Sequence, residues 1–129
     1  LDVNLWKENS FVQEFAEIVE RHMQDDVLDA TKLAEKMHMS QSTLYRKLKA
    51  LTGKNINQLV RKIRIQKAAN LLQSGQYNIT EASFMVGIHS AIYLRQCFKE
   101  EFGMLPSEYL KKHPEQPLNN TYDENKDGN

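Results

Sequence analysis

SQSTLYRKLKALTG, running from Ser40 to Gly53, is the stretch on which the reading of this chain turns. Two opposed stripes run along it at helical spacing. Leu44, Leu48 and Leu51 recur at i, i+4 and i+7 and are expected to face inward, while Ser42, Tyr45, Arg46 and Lys49 share the opposite side. A hydroxyl, a phenol, a guanidinium and an ammonium within about three turns make a mixture suited to base edges and phosphates. An ordinary basic surface helix would show the same pattern, so the neighbouring segments have to decide.

Upstream, Asp29 is placed to cap a short helix with Leu33, Ala34 and Met37 inward, and Ser40 is placed to cap the quoted stretch. Helix, tight turn and helix is the pattern of a helix-turn-helix, in which the first helix braces the second. His38 stands where such turns often hold glycine, because one turn residue tends toward positive φ; with no Cys or second His beside it, it reads as a strained turn residue. Further upstream, Asn9 or Ser10 can cap a helix to about Met23 whose apolar stripe is Phe11, Phe15, Ile18, Val19 and Met23. Leu5 and Trp6, in the entry segment 1–8, are expected to dock on the core.

Downstream, a helix is expected from Asn55 to Ser74 or Gly75. Its apolar positions Ile56, Leu59, Val60 and Ile63 keep one phase, and Ile65, Ala68, Ala69, Leu71 and Leu72 keep another. Between Ile63 and Ile65 the phase advances about 200° at 100° per residue, so one helix serves two cores. Arg61, Lys62, Arg64 and Lys67 are its polar remainder, expected in solvent or reaching toward phosphates. Asn78 or Thr80 then opens a short helix with Ile79, Ala82 and Val86 inward, ended by Gly87. Ser90 caps the following segment to Gly103, in which Leu94, Cys97, Phe98 and Phe102 face the core and Ile92, Arg95, Gln96 and Lys99 face out.

A shift of 50 residues lays Ser40 on Ser90, Leu44 on Leu94, Leu48 on Phe98, Lys49 on Lys99 and Gly53 on Gly103. The chain therefore reads as two helix-turn-helix units, about 29–53 and 79–103, the second with one extra turn residue. They are joined by a linker helix over about 55–74. At about 19 residues it would be about 28 Å long, near the ~34 Å repeat of the major groove. One chain could then place two reading helices in adjacent major grooves of double-stranded DNA.

Composition agrees with an all-α class: five glycines, three prolines and no run of alternating β-branched residues. The single Cys97 permits no intrachain disulfide and no cysteine-rich zinc site, and among apolar neighbours it reads as a packed thiol. Neither a membrane span nor a signal peptide is legible, so a soluble cytoplasmic protein without membrane contact is expected. Leu1 in place of Met suggests a segment of a longer polypeptide. The zero net charge hides a partition: residues 1–39 hold nine acids and four bases, residues 40–80 eight bases and no acid, and residues 81–129 eight acids and five bases. A basic middle between acidic flanks gives one face a positive potential in a neutral molecule.

LAEKMHMSQSTLYRKLKALTG at Leu33–Gly53, IRIQKAANLL at Ile63–Leu72 and VGIHSAIYLRQCFKEEFGMLPSEYL at Val86–Leu110 resemble the AraC/XylS family of transcriptional regulators. The last run carries the pattern of Gly87, Phe98, Lys99, Phe102, Gly103, Pro106 and Tyr109. The resemblance implies a DNA-binding domain over 9–113, with two helix-turn-helix subdomains, about seven helices and a long central one. It also implies a base-reading stripe on Ser42, Tyr45 and Arg46 in the first unit and on Ala91, Ile92, Arg95 and Gln96 in the second; with Ser40, Thr43 and Lys49, and Ser90, Tyr93 and Lys99, beside them on the same helices, these make the expected DNA-contacting set. Arg46 is expected to read guanine through its bidentate fork. Ala91 and Ile92 depart from the polar residues usual there, which directs the second helix to thymine methyls or to phosphates. The wording further resembles the output domain of hybrid two-component sensor regulators controlling polysaccharide use. An upstream receiver or sensor domain, a parent able to dimerise, and RNA polymerase as an activation partner follow from it.

Residues 114–129 are polar and expected to be disordered. Asp123, Asn125, Asp127 and Gly128 imitate the start of a calcium loop, but the chain ends before its closing Glu, so no metal and no cofactor is expected. No catalytic set is legible, and no enzymatic activity is expected. Two rivals to sequence-specific binding are a helical protein-interaction adaptor and a nonspecific nucleic-acid binder.

Overall fold

The computed structural model describes residues 9–25 and 28–114. The expected docking of Leu5 and Trp6 and the expected disorder beyond Pro114 lie outside those residues. Among the described residues there are seven helices and no strand: α1 (Ser10–Arg21), α2 (Ala30–Lys36), α3 (Gln41–Thr52), α4 (Ile56–Gln73), α5 (Ile79–Met85), α6 (Ala91–Phe102) and α7 (Pro106–Lys112). They form two helix-turn-helix subdomains joined through the long α4, as the sequence led us to expect. The chain divides into two compact units between Ile63 and Arg64, where the apolar phase of α4 changes.

In the first unit the Asn9 side chain accepts the N–H groups of Phe11 and Val12 at 3.0 and 3.1 Å and starts α1. Val12, Phe15, Ile18, Val19 and Met23 are buried. This corrects the expected stripe by one residue at its start: Phe11 is half-buried, and its ring lies 4.9 Å from the Lys47 ammonium of α3. The helix also stops at Arg21 rather than Met23, since the His22 N–H reaches back to the carbonyls of Ile18 and Val19 and closes the last turn. Asp29 caps α2 by accepting from the Lys32 N–H at 3.0 Å, and Leu33, Ala34 and Met37 are buried.

The inward face of α3 is Leu44, Leu48 and Thr52, not Leu44, Leu48 and Leu51. At about 100° per residue the arc from Leu44 to Thr52 is centred on Leu48, and Leu51 falls just outside it, on the rim; it is 45% exposed. Thr52 tolerates burial because its hydroxyl donates to the Leu48 carbonyl at 2.7 Å and accepts the Lys54 N–H at 3.1 Å. Gly53 then closes the helix with φ of 76°. A Cβ there would meet nothing within 4 Å, so the left-handed backbone rather than crowding favours glycine.

Asn55 and Gln58 start α4 with a reciprocal pair of bonds, each side chain accepting the other residue's N–H at 2.9 and 2.8 Å. Ile56, Leu59 and Ile63 are buried in the first unit, and Ile65, Ala68, Ala69, Leu71 and Leu72 in the second, while Val60 is half-buried. α4 ends at Gln73, short of the expected Ser74 or Gly75: the Ser74 hydroxyl donates to the Leu71 carbonyl at 2.6 Å as the chain leaves the axis.

In the second unit a capping box of Asn78 and Glu81, at 2.8 and 2.9 Å, opens α5. Ala82, Ser83 and Val86 are its buried positions, and Ile79, expected inward, is half-buried. Leu94, Cys97 and Phe98 of α6 face the core. Phe98, Phe102 and Tyr109 stack on one another with centroids 4.6 to 5.2 Å apart, and Tyr109 stacks on His113 at 4.4 Å, which fastens α7 to α6. Burial raises the Tyr109 phenol above its ordinary pKa. Among the described residues no helix is long and apolar enough to cross a membrane.

Candidate nucleic-acid interface

Both reading helices start in the same way. The Ser40 hydroxyl accepts the Thr43 N–H at 3.2 Å and donates to the Thr43 hydroxyl at 3.0 Å; the Ser90 hydroxyl accepts the Tyr93 N–H at 3.1 Å. The two serines expected at the interface therefore act first as N-caps, which fix where each helix begins. Both helices also end alike, with the N–H of Gly53 donating to the Lys49 carbonyl and that of Gly103 to the Lys99 carbonyl, each at 2.8 Å.

The turns before them differ by one residue. Four residues, 37–40, separate α2 from α3, and five, 86–90, separate α5 from α6. His38 has φ of 60°, the strained conformation its place in the turn suggested. The second turn needs two such residues, Gly87 at 80° and His89 at 60°, and the His89 strain was not read from the sequence. His89 stacks on Phe84 with centroids 4.8 Å apart, so the ring that faces this turn comes from α5.

In the first unit Ser42, Tyr45, Arg46 and Lys49 are exposed on one side of α3, and Thr43 is half-buried beneath its cap. The side chains of Arg46 and Lys49 make no hydrogen bond or ion pair to any described residue, so both charges are available to a ligand. Gln41 instead braces the bundle, donating to the Thr31 hydroxyl of α2 at 2.8 Å. An open cleft of about 420 Å³ runs beside the exposed face, between Ser42 and Tyr45 on α3 and Asn55, Ile56 and Asn57 at the start of α4. Sequence order hides this cleft, since its walls lie ten or more residues apart along the chain.

In the second unit Ile92, Tyr93, Arg95, Gln96 and Lys99 are exposed on α6, and Ala91 is half-buried. Ile92 is 76% exposed. The sequence also misplaced Arg64, expected in solvent or at phosphates. It is half-buried, and its Nη1 donates to the Gly87 carbonyl at 2.8 Å, holding the turn that leads into α6. Its Nε is buried without a hydrogen-bond partner, and burial lowers its pKa from the ordinary guanidinium value. Among the described residues no group of three or more His, Cys, Asp or Glu could hold a metal ion. The exposed sides of α3 and α6 present hydroxyl, amide, cationic and apolar surface.

A family model described as a helix-turn-helix domain matches residues 33–112. Over 99 residues the chain is 34% identical to Histidine kinase P4 of Formosa agariphila, which covers 77% of this chain but only 7% of the kinase. The C-terminal domain of AraT, a response regulator from Geobacillus stearothermophilus, superposes with a TM-score of 0.66 at 29% identity, covering 78% of this chain and 83% of that one. The DNA-binding domain of AdpA, a global transcriptional factor solved with a target DNA, superposes with a TM-score of 0.66 at 27% identity, covering 78% and 90%.

Proposed function

The chain belongs to the AraC/XylS family of helix-turn-helix transcription regulators, and from that premise we propose that it binds double-stranded DNA at specific sequences and regulates transcription. The observation that carries the reading is the exposed side of α3, where Ser42, Tyr45, Arg46 and Lys49 stand together and both cations are unpaired among the described residues. A helix that presents a guanidinium fork from its second turn can meet the O6 and N7 acceptors of guanine, and the neighbouring ammonium and hydroxyls can meet phosphates. Residues 40–80 hold no acid, so nothing in that block repels the backbone of a duplex.

Each unit, on this reading, enters a major groove with its capped helix. The first uses Ser40, Ser42, Thr43, Tyr45, Arg46 and Lys49; the second uses Ser90, Ala91, Ile92, Tyr93, Arg95, Gln96 and Lys99. The two heads would then take adjacent major grooves of a non-palindromic site. The chain is then a non-enzymatic output domain working in the cytoplasm. The likeness to a small part of a histidine kinase and to the C-terminal domain of a response regulator supports a parent with an upstream receiver or sensor domain. We further propose that this parent is of the hybrid two-component type and responds to carbohydrate. Dimerisation of that parent would raise the local concentration of output domains at paired sites. RNA polymerase is the partner through which it would activate.

The test is selection from random duplexes followed by titration of the winner with Arg46→Ala. The expected loss is roughly 1 to 3 kcal/mol with one relaxed base preference. A chain that prefers no duplex over another would refute sequence-specific binding: a protein-interaction adaptor would bind no duplex appreciably, and a nonspecific binder would bind scrambled sites equally with a steep salt dependence.

A further inference from the structure

The two reading helices carry different chemistry at one register. A shift of 50 residues lays Ile92 over Ser42, Arg95 over Tyr45 and Gln96 over Arg46. The first head thus offers a hydroxyl early in its helix and the second a branched aliphatic chain. Ile92 is the second residue of α6, directly after Ala91 and two residues from the capping Ser90. At 76% exposed it is the most exposed large apolar side chain among the described residues.

An aliphatic side chain exposed at the start of a reading helix contributes to binding only by being covered there. Ile92 has no donor and no acceptor, so it can neither read the hydrogen-bonding edge of a base nor hold a phosphate. The major-groove edges of the four bases present one apolar group, the C5 methyl of thymine. Ala91, small and half-buried, leaves the approach to Ile92 open, and Arg95 and Gln96 follow on the next turn to supply the polar contacts.

We propose that Ile92 is a specificity-determining residue that packs on a thymine methyl. The second half-site would then be defined by an A·T pair at that position, where the first is defined by a guanine. This deepens the DNA-binding reading and rests on it.

The 129-residue chain is titrated with its selected duplex and with duplexes in which each thymine of the second half-site is replaced singly by deoxyuridine, which removes only the methyl. At one position the replacement is expected to weaken binding about fourfold, the contribution of one buried methyl group. In Ile92→Ala the same replacement is expected to have no effect, and in Ile92→Val most of the effect is retained. Because Ile92 is outside the core, each variant should melt with the parent, which separates a folding loss from a recognition loss. Selective binding with no uracil-sensitive position, or with one that Ile92→Ala leaves unchanged, overturns this inference alone. A chain that selects no duplex overturns the DNA-binding reading and this inference with it.

Discussion

Replacing Phe98 with alanine removes the aromatic centre of the second unit. Its ring is fully buried, lies 4.6 Å from Phe102 and 5.2 Å from Tyr109, and shares its helix with Leu94 and Cys97, which are buried too. Truncation of a buried Phe to Ala costs about 3 to 5 kcal/mol, the transfer free energy of the lost carbons plus the cavity they leave. Two ring contacts are lost with it, each worth about 0.5 to 1.5 kcal/mol where not already counted in the buried area. A single domain commands only about 5 to 15 kcal/mol in all, so the upper end of that loss would leave the second unit marginal. Native-state hydrogen exchange reads the effect directly: amides of α6 and α7 should lose between about 10² and 10³ or more in protection, at 1.4 kcal/mol per factor of ten. Phe98→Leu, which keeps most of the volume, should cost under about 1.5 kcal/mol. If alanine cost no more than leucine, Phe98 would not be the keystone of this core and the reasoning from burial would fail.

Ser40→Ala and Ser90→Ala each delete one N-cap bond and should lower stability by about 0.5 to 2 kcal/mol, with glycine at either site costing only a few tenths; urea titration followed by far-UV ellipticity checks both. His38→Gly should stabilise by up to about 1 kcal/mol, since it relieves a positive φ; His89→Gly should gain less in the same assay, because it also gives up the stack on Phe84. Tyr109 has a folded pKa raised by burial. Its protonated form therefore contributes stability that is fully present below the ordinary phenol value of about 10 and is lost as pH rises through the folded pKa. Alkaline unfolding followed at 222 nm should be less steep in Tyr109→Phe.

The order and class of the helices were legible because caps and apolar spacing are local properties. Asn9, Asp29, Ser40, Asn78 and Ser90 all cap where a short polar residue precedes an amphipathic run. The repeat was legible because both units end their reading helices with the same glycine at the same distance from the cap. The turn of phase in α4 was legible because 100° per residue is a geometric constant, and the division between the units falls there.

Tertiary packing decided the rest. Thr52 displaced Leu51 from the core because the centre of the buried arc depends on what α3 packs against, which periodicity alone fixes only to within about one residue. Val12 displaced Phe11 in the same way, Phe11 turning to meet Lys47 from another helix. Arg64 looked like any cation on a long helix until the chain folded the Gly87 carbonyl, 23 residues away, against its guanidinium. A local pattern shows which side of a helix is apolar; which distant group will meet its polar side chains depends on contacts that exist only after the chain has closed on itself.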